Sequence, residues 1–160
     1  LYLKKIFSKI NYRNIQKMNL HTPEVSEFSA VIAKELKVRK IIKIFQKKYV
    51  KQKKTIVLEG RDMSKIFHNA DVKFFVVCKP LKIAAKRRWL QLKNSKKNIS
   101  LNQVLKDLKK RDFMDRNRKH SPLERDQESV YINTAKLNIK AVLDKMSKII
   151  GKRLKNKYGS

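Results

Sequence analysis

Three short apolar runs constrain the fold more than any other feature: Thr55-Ile56-Val57-Leu58, Lys73-Phe74-Phe75-Val76-Val77 and Val130-Tyr131-Ile132. They are continuous rather than alternating, the pattern of strands buried on both faces. Long helical stretches separate the second run from the third. Crossovers of that length suit parallel strands with helices on the faces of the sheet. From residue 55 the expected order is β, β, α, α, β, α, an α/β architecture.

Local signals place the helices. Thr22-Pro23-Glu24 reads as an N-cap, a first-turn proline and a first-turn acid. Apolar residues then recur from Phe28 to Tyr49, and the spacing slips near Lys37–Arg39, which divides the stretch into two helices. Pro80 opens a helix to about Lys93, with Trp89 in its core packing. Residues 94–99 form a loop. Ser100-x-x-Gln103 is a capping box for a helix to about Asn117, stopped by Ser121-Pro122. Asn138 starts a last amphipathic helix, and Lys152–Ser160 reads as a frayed basic tail. The first twenty residues carry only weak helical spacing, in Leu3, Ile6, Phe7 and Ile10. By segment, 1–54 is helical, 55–150 is the α/β core, and 151–160 is the tail.

Composition excludes several functions. The only glycines are Gly60, Gly151 and Gly159, so a glycine-rich phosphate loop of either common kind is not written here. The longest apolar run, Phe74–Cys78, is too short to span a membrane. One cysteine, Cys78, permits no internal disulfide, and it reads as buried and inert. His21, His68 and His120 are too scattered for a metal site, so no metal ligands are expected from the chain.

The formal net charge of +29 comes from 42 Lys and Arg against 13 Asp and Glu. Such a charge invites a nucleic-acid reading. The lysines, however, are scattered, whereas seven of the ten arginines lie between Arg61 and Arg125. Where lysine is the default cation, an arginine is the more informative one, because its planar fork grips phosphate with two hydrogen bonds. Acids gather in the same region, which suits a small phosphorylated ligand better than a DNA backbone.

Two constellations stand out. Glu59-Gly60-Arg61-Asp62 follows an expected strand, where ligands of open α/β sheets sit, and Gly60 would let the backbone turn there. In Arg111-Asp112-Phe113-Met114-Asp115-Arg116-Asn117-Arg118, residues Arg111, Asp115 and Arg118 share one helix face. Asp115 could take a sugar hydroxyl and the arginines could neutralise phosphates. Arg87 and Arg88 point about 100° apart on their helix, so they address different surroundings.

Taken in order, LHTPEVS (Leu20–Ser26), VLEGRDM (Val57–Met63), AKRRWLQLK (Ala85–Lys93), RDFMDRNRKHSPL (Arg111–Leu123) and VYINT (Val130–Thr134) resemble the bacterial cytidylate kinases. The resemblance runs from about Leu20 to Ile150. It implies a P-loop nucleoside monophosphate kinase fold, a parallel sheet with flanking helices, here lacking its first β-α unit. It also implies phosphoryl transfer from ATP, with Mg2+, to CMP or dCMP. By position it puts Arg39 and Asp62 on the cytosine ring and Asp115 with Arg111 on the ribose. Arg61 and Arg118 fall on the acceptor phosphate as the catalytic pair, and Arg87 and Arg88 on the ATP side. It makes 1–54 part of the monophosphate-binding region and puts a lid at about 93–122, within which Lys93–Ile99 corresponds to the closing stretch. Ser64-Lys65 stand where that family usually has Gly-Thr. The expectation is a cytoplasmic monomer that binds CMP or dCMP and ATP, with no membrane and no specific nucleic acid, active only together with the part it lacks. The rival readings are a basic nucleic-acid-binding protein and an inactive kinase remnant.

Overall fold

The computed structural model describes residues 18, 20, 22–32, 35–94 and 99–159. In chain order these form α1 (Pro23–Ile32), α2 (Leu36–Lys51), α3 (Met63–Ile66), β1 (Phe74–Val77), α4 (Leu81–Asn94), α5 (Leu101–Asn117), β2 (Val130–Asn133) and α6 (Ile139–Tyr158). The helical spacing read over residues 1–17, His21 and residues 95–98 of the expected lid lie outside the described residues.

The two strands pair in parallel, from Phe74 opposite Val130 to Val77 opposite Asn133. Hydrogen bonds extend the ladder at both ends, Val130 N to Lys73 O at 2.9 Å and Thr134 N to Val77 O at 2.8 Å. Asn133 then acts as one more rung. Its side chain donates to Lys79 O and accepts from Lys79 N, each at 3.0 Å. Ile132 is fully buried, and Phe75 stacks on Tyr131 across the strands.

The expected third strand does not form among the described residues. Thr55–Leu58 carries no ladder, and Val57 is 92% exposed. A β-branched run favours extended backbone, but a strand exists only where a neighbour completes its hydrogen bonds.

Between the strands, α4 and α5 pack on each other. Ala85, Leu92 and Val104 form the buried centre, with Trp89, Ile99, Leu105 and Leu108 against it. Trp89 is core, as its place in the helix implies, and its indole N–H donates to Ile99 O at 2.9 Å. The capping box is half made. Ser100 Oγ accepts from Gln103 N, but the Gln103 side chain turns along the helix to Asp107. Thr22 and Asn138 cap α1 and α6 through their side-chain oxygens. Helix α2 starts at Leu36 with Glu35 as its N-cap, slightly before the slip in spacing.

The C-terminal segment is not frayed. Helix α6 continues to Tyr158 and closes on Gly159, whose φ of +69° is the left-handed conformation that glycine adopts without cost. Lys157 and Tyr158 both reach Asp71 Oδ1, at 2.6 and 2.8 Å. That clasp and the cap replace the fraying that the lysine-rich composition suggested. No helix of the described residues is long and apolar enough to cross a membrane.

Candidate functional site

Asp62 occupies the N-cap position of α3, yet its side chain makes no capping bond. Its carboxylate is taken instead by Arg39 of α2, in a short ion pair between two largely buried side chains. Gly60, just before, is required by proximity rather than by an unusual turn. A Cβ there would lie 2.8 Å from Met63 Cε and 2.9 Å from Met63 Cγ.

Asp115 of α5 is the second carboxylate, with its side chain 11% exposed. Arg61 Nε approaches Asp115 Oδ2 at 3.4 Å and Arg118 Nη1 approaches Asp115 Oδ1 at 3.7 Å. These are ion-pair distances, too long for good hydrogen bonds. Arg118 is held by its own loop. Its Nε–H donates to Ser121 O, Ser121 has a φ of +50°, and Leu123 N returns to Asp115 O at 2.8 Å. The Ser-Pro break was legible in the sequence. That the segment folds back over the end of α5 was not, because the bonds that do it are mostly backbone.

The charges feel one another. Burial pushes the Arg118 guanidinium below its ordinary value, and Arg39 and Arg61 add to the effect, while Asp62 and Asp115 oppose it. Burial likewise lowers Arg111, with Arg61 and Arg88 adding and Asp115 opposing. One field therefore contains Arg39, Arg61, Asp62, Arg88, Arg111, Asp115 and Arg118. Five guanidiniums against two carboxylates leave it strongly positive.

Asp115 Oδ2 and Arg118 Nη2 are buried without a hydrogen bond among the described residues. Each such atom costs about 1–3 kcal/mol. An anionic, hydroxyl-bearing ligand would supply what both want, an oxygen acceptor for the guanidinium and a donor for the carboxylate. Arg118 also lines a cavity of about 360 Å3 with Phe113, Met114, Asn117, Lys119 and His120.

Arg87 is the predicted site residue that stands apart. Its guanidinium donates to Thr134 O at 2.9 Å, Leu137 O at 3.1 Å and Ala135 O at 3.2 Å. It ties α4 to the turn after β2 through Nη2, while Nη1 lies near Thr134 Oγ1; Arg88, a third of a turn round the helix, joins the cluster. Lys65 was not anticipated. It pairs with Glu124 at 2.8 Å, linking α3 to the segment that follows Arg118. A 59-residue separation with no motif leaves no signal for such a pair in the sequence. The open cleft of about 590 Å3 between Ser64–Asn69 and Glu124–Glu128 contains none of the predicted site residues. Among the described residues no group of three or more His, Cys, Asp or Glu side chains could hold a metal ion.

A protein-family model described as cytidylate kinase matches residues 3–152. The chain is 36% identical to the cytidylate kinase of Clostridium botulinum (strain Loch Maree / Type A3) over 135 residues, 84% of this chain and 59% of that protein. It is 33% identical to the Geobacter sulfurreducens cytidylate kinase over 135 residues, covering 84% of this chain and 57% of that one. With the cytidylate kinase of Clostridium tetani it shares 34% identity over 132 residues, 82% and 58% of the two chains. The chain thus spans under three-fifths of the length of these relatives, matching their C-terminal part.

Proposed function

This chain belongs to the cytidylate kinase family, and from that premise we propose that its arginine–aspartate cluster binds CMP or dCMP as acceptor of a phosphoryl group from ATP. The observation that carries the reading is the pair of buried, unbonded atoms, Asp115 Oδ2 and Arg118 Nη2, within one positive field.

In this reading Arg61 and Arg118 hold the acceptor phosphate. They come from separate segments and meet at Asp115, whose charge offsets part of the repulsion between their guanidiniums before the ligand arrives. Phosphoryl transfer needs little covalent help from protein. It needs in-line positioning and cations that offset charge on the equatorial oxygens. Asp115, with Arg111 beside it, accepts a ribose hydroxyl. Asp62, oriented by Arg39, accepts from the amino edge of cytosine, and a site built to hydrogen-bond that edge rejects bases lacking it. Arg88 fits the ATP phosphates better than Arg87, whose Nη2 is engaged by carbonyls of the turn after β2. When bound, ATP supplies the phosphoryl group that the monophosphate accepts. No step is assigned to Mg2+, since the described residues offer no ligand set for it. We assign the ATP-phosphate cradle to the part of the relatives that this chain does not match, and the enzyme to cytoplasmic pyrimidine nucleotide metabolism as a monomer.

The test is an ADP-release assay on the product of the complete gene with CMP, dCMP and UMP. Turnover with CMP or dCMP is expected. No turnover with any of the three would favour a decayed kinase, in which Lys65, paired to Glu124, fills the position of the family's usual threonine.

A further inference from the structure

Helix α2 carries Lys37, Lys40, Lys43, Lys47, Lys48 and Lys51, and no acid. At 100° per residue these six lysines fall within an arc of about 140°. Val38, Ile42, Phe45 and Tyr49 occupy the opposite side. All six lysines are exposed, and none has an ion-pair partner among the described residues. Lys65, Lys73, Lys110 and Lys157, by contrast, each pair with an acid. Helix α6 is also rich in lysine, but there Asp144 interrupts the stripe and Lys157 is tied to Asp71. With six lysines in sixteen residues and no acid, the α2 face is a concentrated patch of one sign.

From this placement we infer that the lysine face of α2 is a docking surface for the phosphodiester backbone of nucleic acid. From Lys37 to Lys51 the helix rises about 21 Å. A duplex carries one charge per about 1.7 Å of its axis, so about twelve phosphates of the two strands fall over that length, and about half of them face one side. Six lysines on one face match that run of charge. The contact reads no sequence, because lysine ammonium groups on phosphates position without specifying. The surface is distinct from the nucleotide cluster; among its residues only Arg39 leaves the stripe to pair with Asp62. The inference stands on the charge geometry of α2 and does not depend on the kinase reading.

The test is fluorescence anisotropy with the 160-residue chain and a labelled 20-base-pair duplex of arbitrary sequence, from about 50 to 300 mM salt. Three proteins are compared: the parent, Lys40→Gln/Lys43→Gln/Lys47→Gln on α2, and Lys145→Gln/Lys148→Gln/Lys152→Gln on α6. Both variants lose three charges, so net charge is matched. Circular dichroism checks that each keeps its helix content, and Lys→Arg at the same α2 positions restores charge if it does not. The expected result is a slope of log affinity against log salt that falls by about 2–3 in the α2 variant and by less than one in the α6 variant. Equal losses in both variants, or no binding at the lowest salt, would overturn the inference. So would α2-dependent binding to phosphatidylserine vesicles without binding to the duplex.

Discussion

Arg39 and Asp62, 23 residues apart in sequence, form an ion pair whose side chains are only 17% and 12% exposed. It joins α2 to the head of α3. Removing one partner leaves the other charge largely buried without this pair, which costs more than the pair contributes. A double-mutant cycle with Arg39→Ala and Asp62→Ala, followed by denaturant unfolding, should give a coupling of about 1–3 kcal/mol. Additive effects within about 0.3 kcal/mol would show that the pair is not a structural link. In the complete enzyme, Asp62→Ala should also relax the choice of base, seen as a narrowed ratio of kcat/KM for CMP over UMP.

Arg87 and Arg88 should separate by type of effect. Arg87→Ala deletes the contacts of Nη2 with three carbonyls; two N–H donors at about 1 kcal/mol each should lower the midpoint of thermal unfolding by several degrees. Arg88→Ala should leave the midpoint within about a degree and lower turnover in the complete enzyme at least tenfold. A reversed pattern would exchange their assignments.

The α6 clasp should respond to pH at both limits. Hydrogen bonds from Lys157 and then Tyr158 hold the Asp71 carboxyl below its ordinary value. The same bond to Asp71 raises Lys157 above its ordinary value. A lowered carboxylate stabilises above its unfolded value of about 4 and loses that contribution as pH falls through the folded value. A raised lysine stabilises below about 10.4 and loses its contribution as pH rises through the folded value. Amide exchange at Lys155–Tyr158 should therefore be slowest between these limits and faster below about pH 4, once corrected for the intrinsic rate. Asp71→Asn should show the acid pattern at pH 7; unchanged protection would mean the cap alone holds the helix end.

Much of this molecule could be read in the sequence. The parallel pair Phe74–Val77 and Val130–Asn133 came from continuous apolar runs, and the caps at Thr22, Ser100 and Asn138 from short local patterns. The end of α6 was misread because lysine content suggests fraying, whereas a 71-to-157 clasp is a tertiary contact. Thr55–Leu58 was misread because composition reports the preference of one strand, not the presence of its neighbour. That Arg61, Asp62, Asp115 and Arg118 lie near one another was legible from their types and spacings; their roles are proposals. That Arg88 joins the cluster and Arg87 does not depends on where α4 lies against the turn after β2, which no local pattern encodes.

The site itself can be tested without turnover, by calorimetric titration of CMP and cytidine into the chain and into Arg118→Ala. If Arg118 and Arg61 hold the acceptor phosphate, CMP binds at least tenfold more tightly than cytidine, a difference of about 1.4 kcal/mol. Arg118→Ala should then bring CMP down to the level of cytidine. Equal affinity for CMP and cytidine in the parent chain, or CMP binding unchanged in Arg118→Ala, would contradict a phosphate site at this cluster.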